Sequence, residues 1–278
     1  MRIDSHQHYW KLSRGDYGWL TPELAPIHRD FGPGDLAPML ERHGIDGTVA
    51  VQAAPTVAET EYLLSLADAH ESVLGVVGWV DFEAGDAADQ IAGLASHDAL
   101  LGLRPMIQDL PDDEWIARSD LDAAFDALVE AELVFDALVL PRHLKPLLTR
   151  MERTPGLRVI VDHAAKPHIA DGTLDPWRDD IARIATETDA VCKLSGMVTE
   201  AGDGWGADTL RPYVDHLLAT FGPGRLLWGS DWPVCTLAAT YDAWMAATES
   251  LLSGLSDSDR AAVMGENAAR TYGLELSR

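Results

Sequence analysis

The chain has 278 residues and a net charge of −24, from 21 basic and 45 acidic side chains. That surface argues against nucleic acid, whose phosphates need a positive footprint. No stretch approaches 18 unbroken apolar residues and no basic, apolar leader opens the chain, so neither a membrane span nor a signal sequence is expected. The length can bury a large core without disulfides, and the only two cysteines, Cys192 and Cys235, suit a reducing, cytoplasmic setting.

The first eight residues read as a strand carrying His6 and His8. Side chains alternate along a strand, so the two imidazoles point one way. Ten histidines in a chain of this length give roughly 0.4 such pairs by chance, so the pair needs support from elsewhere. An irregular stretch follows, rich in aromatics, proline and glycine, with Tyr17 and Trp19 in it; connections of this size are often functional. A helix is expected over 35–43, with Asp35 as N-cap and Gly44 as its stop.

From there strands and helices alternate. Strands are predicted at 47–53, 73–80, 99–104, 133–139, 158–163, 190–195 and 226–230. Helices are predicted at 57–70, 86–95, 120–131, 142–153, 176–187, 208–221 and 240–252, with a last one at 257–272. Short apolar runs separated by amphipathic helices are the pattern of parallel strands joined by crossovers. Eight such units in this length predict a (β/α)8 TIM barrel, an α/β fold, as a single domain over 1–278 with a C-terminal helix. No Gly-x-Gly-x-x-Gly opens the first helix, so a dinucleotide-binding sheet lacks its fingerprint.

Active sites of this fold sit at the C-terminal ends of the strands. The polar residues there are His6 and His8, Gln52, Trp79 and Asp81, Arg104, His163, Lys193 and Asp231. A closed barrel makes the first and eighth strands neighbours, which brings His6, His8, His163 and Asp231 to one place. Asp162 has the opposite parity to His163 and is expected to face the helices or cap a turn. Asp4 reads as a buried structural carboxylate, and Cys235 as a small buried hydrophobe. Lys193 reads equally as an electrophile or an ion-pair partner, and Arg104 as a substrate clamp or a salt bridge. Trp10, Tyr17, Trp19, Trp79 and Trp232 are available as aromatic walls or as core.

His6-x-His8, Val-Asp-His163-Ala-Ala-Lys-Pro, Cys-Lys-Leu-Ser-Gly at 192–196 and Trp-Gly-Ser-Asp-Trp-Pro at 228–233 resemble the amidohydrolase superfamily. With Val-Gly-Trp-Val-Asp at 77–81 and Gly-Glu-Asn-Ala-Ala-Arg-Thr-Tyr at 265–272, the likeness spans nearly the whole chain. Within the superfamily the chain resembles the amidohydrolase-2 type lactonases, which include the L-fuconolactone, L-rhamnonolactone and 2-pyrone-4,6-dicarboxylate hydrolases. The resemblance implies a hydrolase with His6, His8, His163 and Asp231 at its site. It departs on the fifth strand, where Phe135 and Asp136 stand in place of a metal-binding histidine or modified lysine, so no second ligand set is expected.

Water attack on a lactone needs a base for the water and positive character at the carbonyl oxygen. Asp231 is assigned as general base, with His163 as the other catalytic group. One divalent ion, taken as zinc, is expected on His6, His8 and Asp231, with an open position for water or carbonyl. Without a metal, His6, His8 and His163 would form the electrophilic site. Trp19, Gln52, Trp79, Asp81, Arg104 and Lys193 are expected to bind substrate, a neutral sugar lactone; Arg14 and Arg29 are available from loops. A decarboxylase, a C–N amidohydrolase, a metal-independent dicarboxylate lactonase and a barrel that only binds a small molecule are the rival readings. The sequence leaves room for a homo-oligomer.

Overall fold

The computed structural model describes residues 1–274; the last four residues of the expected 1–278 domain lie outside the described residues. Eight parallel strands form one sheet in chain order: β1 (Ile3–Gln7), β2 (Gly47–Val51), β3 (Val73–Gly78), β4 (Leu100–Leu103), β5 (Val134–Ala137), β6 (Arg158–Val161), β7 (Val191–Leu194) and β8 (Leu226–Trp228). Each is followed by its helix: α1 (Pro33–His43), α2 (Val57–Ala69), α3 (Ala87–Leu94), α4 (Asp122–Glu130), α5 (Leu144–Arg153), α6 (Trp177–Glu187), α7 (Ala207–Phe221) and α8 (Tyr241–Leu251). This is the (β/α)8 barrel that the alternation predicts. No helix among the described residues is long and apolar enough to cross a membrane.

The barrel closes through residues at and just beyond the strand ends. Gln7 bridges Trp232 in parallel, His8 N–H donates to the Trp232 carbonyl at 2.7 Å, and Asp231 N–H donates to the His6 carbonyl at 2.8 Å. Side chains complete the seam: Ser5 Oγ donates to the Trp228 carbonyl at 2.7 Å, and Asp4 Oδ1 accepts the Ser230 N–H at 2.8 Å.

Apolar residues divide between two layers. Those packed under the helices form one continuous core, while Ile3, Val49, Val51, Val77, Leu101, Val134, Ile160 and Leu227 fill the barrel interior. Ala268 and Tyr272 join the interior group, so the C-terminal segment seals the barrel floor. The helix expected over 257–272 is in fact two, α9 (Asp257–Ala261) and α10 (Asn267–Tyr272), separated by a π-turn at Ala262–Glu266. The turn lays Gly265 against the backbone of residues 1–3, which a side chain would prevent.

The strands are shorter than their apolar runs. β2 stops at Val51, β4 at Leu103 and β6 at Val161, so Gln52, Arg104, Asp162 and His163 lie just outside the regular ladder. Residues that aim at a common centre leave the ladder first, since staying in it would fix their direction by parity.

Candidate active site

His6 and His8 stand at the top of β1, beside the residues that follow β8. The two segments meet closely: a Cβ on Gly229 would lie 2.6 Å from His6 Cβ, so only glycine fits there. Asp231, two residues on, has a left-handed backbone with φ of 56°. That conformation costs an ordinary L-residue about 1–2 kcal/mol, somewhat less for Asp, and it turns the carboxylate over the barrel mouth.

The third element is more strained. His163, Ala164, Ala165 and Lys166 are all left-handed, with φ between 49° and 58°. The turn is held by Lys166 N–H to the His163 carbonyl at 2.8 Å and by Trp177 Nε1–H, from α6, to the Ala164 carbonyl at 2.7 Å. Gly196 gives it room: its φ is +60°, and a Cβ would lie 2.4 Å from His163 Nδ1. That nitrogen instead meets Ser195 Oγ at 2.9 Å; the hydroxyl can donate or accept and so serves either tautomer. The same turn overturns the reading of Asp162. With β6 ended at Val161, alternation no longer applies, and the carboxylate enters the barrel centre, fully buried.

Four groups converge as a result. His8 Nε2 lies 3.2 Å and His6 Nε2 3.8 Å from Asp231 Oδ1, and the His6 and His163 rings are 4.4 Å apart between centroids. His8 Nδ1 is 2.7 Å from the Val51 carbonyl, which only accepts, so that nitrogen carries the proton. In a neutral ring the Nε2 lone pair then faces a carboxylate oxygen, an arrangement that calls for a cation at the spot, whether a proton or a metal ion. One donor atom each from His6, His163 and Asp231 falls within a 4.8 Å group. The structure thus adds His163 to the expected set of His6, His8 and Asp231, while His8 lies outside that group of donor atoms and joins it only through its 3.2 Å contact with Asp231. These donors, all imidazole and carboxylate with their outer nitrogens anchored, fit a mononuclear site.

Burial and the neighbouring charges hold three of these groups, Asp231, His163 and His6, toward their unprotonated forms. Burial would raise the Asp231 carboxyl, but His163, the bond from His8 and His6 together hold it well below the usual carboxylate range. Burial brings His163 down to about 4, against the pull of Asp231 and Asp162. Burial, reinforced by the Lys193 charge, also lowers His6 far below an ordinary histidine.

Beneath His6 lies a charged layer. Lys193, with no exposed surface, contacts Asp136 directly and places Nζ 3.1 Å from Asp162 Oδ1 and 3.2 Å from His6 Nδ1. It cannot bind substrate as expected, because neighbouring side chains enclose its ammonium. Gln52 is corrected for the same reason: fully buried, its amide donates to the Arg104 carbonyl. Arg104 does line the site cavity, though its guanidinium is engaged by the Gln52 carbonyl, Asp162 Oδ2 at 3.4 Å and His6 Nε2 at 3.3 Å.

The cavity over the histidines has a volume of 230 Å³ and is walled by His8, Trp19, Arg104, His163, Lys166 and Asp231, among others. Trp79 and Asp81 are absent from it. They line an adjoining cavity of 470 Å³ that shares Trp19, Met106 and Asp109 with the first, so they reach only a substrate that extends past Trp19. Trp10, Tyr17 and Trp232 are core. Arg14 is paired with Asp16 at 2.7 Å and Arg29 with Asp35 at 3.1 Å, and neither lines the site cavity. The wall residues Lys166, Met106, Gln108 and Asp109 escaped the sequence reading because they follow strands instead of ending them. Lys166 alone left a signal, the Lys-Pro that closes the His163 motif.

Comparison with known proteins identifies the family. A family model described as "Amidohydrolase" matches residues 3–274. The chain is 45% identical to an L-fucono-1,5-lactonase of Burkholderia ambifaria, covering 99% of this chain and 96% of that protein. A second L-fucono-1,5-lactonase, from Burkholderia multivorans, is 37% identical over 99% of this chain and 96% of its own. Among solved structures, an amidohydrolase from Burkholderia multivorans with bound zinc superimposes with a TM-score of 0.92 at 37% identity, covering 99% of this chain and all of that one.

Proposed function

The chain belongs to the amidohydrolase family, and from that premise we propose that it opens a small neutral sugar lactone, an L-fucono-, L-rhamnono- or L-galactonolactone, to the hydroxy acid. The observation that carries the reading is the Asp231 carboxylate meeting His6, His8 and His163, with Asp231, His8 and His163 lining a 230 Å³ cavity. That volume lies below the roughly 300–1,000 Å³ of pockets for drug-sized ligands and suits a single ring. The similarity to two L-fucono-1,5-lactonases supports the substrate class.

Asp231 takes a proton from water as the water oxygen bonds to the lactone carbonyl carbon. His163, whose Nδ1 can accept from the Ser195 hydroxyl and so leave Nε2–H as a donor, stabilises negative charge growing on the carbonyl oxygen. As the tetrahedral species collapses, the ring C–O bond breaks and Asp231 returns the proton to the departing ring oxygen. Trp19 offers an indole face to the sugar ring. The two cations on the wall are both occupied, Arg104 as described and Lys166 by Glu200 at 3.6 Å, which leaves a dicarboxylate lactone without a clamp.

His6, His8, His163 and Asp231 would hold one divalent ion, for which zinc is the proposed identity. Such an ion lowers the pKa of water and polarises a carbonyl. One contact favours a second reading, in which the histidines act alone: the Arg104 guanidinium at 3.3 Å competes for the His6 nitrogen that a metal would use. A cytoplasmic site of action is proposed on the two free, buried cysteines.

The test is kcat/KM over a panel of aldonolactones, a pyrone dicarboxylate, a β-keto acid and an amide, before and after chelation, with elemental analysis of the protein used. An aldonolactone should be the best substrate, and no more than about one ion per chain should be found. Preference for the dicarboxylate, or turnover of only the β-keto acid or amide, overturns the assignment. Full activity without metal selects the histidine-only form.

A further inference from the structure

The charged layer beneath His6 has the make-up of a metal site. His6, Asp136 and Asp162 each offer a donor atom within a single 4.8 Å group, and all three residues have no exposed surface. Nothing local in the chain predicts this second set, since Asp136 stands alone in an apolar strand. The set is nevertheless filled, and a side chain of the same protein fills it. Lys193 Nζ touches Asp136 and lies 3.1 Å from Asp162 Oδ1 and 3.2 Å from His6 Nδ1.

We propose that the Lys193 ammonium is a built-in cation seated in a second, fully buried metal-type site of His6, Asp136 and Asp162, and that it restricts the centre to one ion. An imidazole nitrogen with two carboxylates is a ligand set for zinc or manganese, with nothing in it particular to ammonium. The fit of the ammonium is also imperfect. Asp162 Oδ1 faces Nζ without an aligned hydrogen bond, and it stays an orphaned, fully buried oxygen. A spherical cation has no such directional demand. The far side of the site is braced from the barrel floor, where Tyr272 Oη, on α10, donates to Asp136 Oδ2 at 2.9 Å.

Removing the ammonium leaves two buried carboxylates facing one imidazole, a cluster that must then take up protons or another cation. With a divalent ion available, the ion should enter. This does not depend on the lactonase reading, because the quantity measured is bound metal.

The experiment compares wild type with Lys193→Met, which keeps most of the unbranched side chain but lacks the terminal Nζ and its charge. Both are equilibrated with zinc sulfate, desalted and analysed for zinc per chain, and both are melted with and without zinc. Lys193→Met should carry one more ion per chain than wild type, and zinc should raise its Tm by more. Solubility of the variant only when zinc is supplied supports the proposal equally. A folded variant with the wild-type ion count overturns it. If the variant is insoluble with and without zinc, Lys193→Met/Asp136→Asn, which removes one charge of each sign, should fold and hold the wild-type count; failure of this double variant to fold also overturns the proposal.

Discussion

At the scale of single residues, Asp231 joins two demands that seldom coincide, a left-handed backbone and an ionised carboxylate screened from water. Asn tolerates that backbone better than most residues and matches the shape of Asp, but cannot accept the proton. Asp231→Asn should therefore leave the thermal midpoint nearly unchanged and lower kcat by at least about 10²-fold. Turnover within a few fold of wild type would move the base to His163. Glu59 sets a different test. Its carboxylate accepts the Ala53 and Ala54 N–H groups at 3.0 and 2.8 Å, yet burial outweighs those bonds and lifts its pKa to about 7. A raised folded pKa means that the folded chain holds the proton longer. Stability from this group is thus full below the ordinary value of 4.5 and is lost as pH rises through about 7. Urea unfolding between pH 5 and 7.5 should show stability falling with pH, and Glu59→Gln should flatten that slope. An unchanged slope would show that Glu59 is ionised throughout.

At the scale of elements, the left-handed turn after β6 is the part that depends most on its neighbours. Trp177→Phe removes the N–H that holds the Ala164 carbonyl and leaves a buried acceptor unpaired, at a cost of about 2 kcal/mol. Because the turn carries His163, kcat should fall more than KM rises; a variant that is only less stable, with unchanged kcat, would uncouple the turn from the chemistry. This turn also marks where the sequence stops being readable. Apolar runs and caps such as Thr240 and Ser256 show in a single chain, because periodicity and capping are local. His6, His8 and Asp231 show too, since ionisable residues at apolar strand ends have few structural uses. Asp162 does not, because parity assumes a strand that in fact has already ended. Asp136 and Lys193 were each visible inside apolar strands, but nothing local says that β5 and β7 aim them at each other across the interior. The break at 262–266 is equally hidden: it exists because Gly265 must pass the backbone of residues 1–3, a contact with the far end of the sequence.

At the scale of the whole molecule, a net charge of −24 means that folding gathers like charges. Raising sodium chloride from 0.01 to 1 M shortens the screening length from about 30 to about 3 Å, so the thermal midpoint should rise, by about 2–4 °C for each kcal/mol of repulsion relieved. A midpoint that falls with salt would show that the surface ion pairs outweigh the net repulsion. The seam between β1 and the segment after β8 adds a constraint in time. His8 and Asp231 are 223 positions apart, which a ribosome covers in about 10–45 s at 5–20 residues per second. Through that interval the nascent chain carries its two leading histidines without the Asp231 carboxylate that both of them meet in the finished barrel. The reaction centre comes into being only with the last strand, so an unfinished chain has no partial version of it.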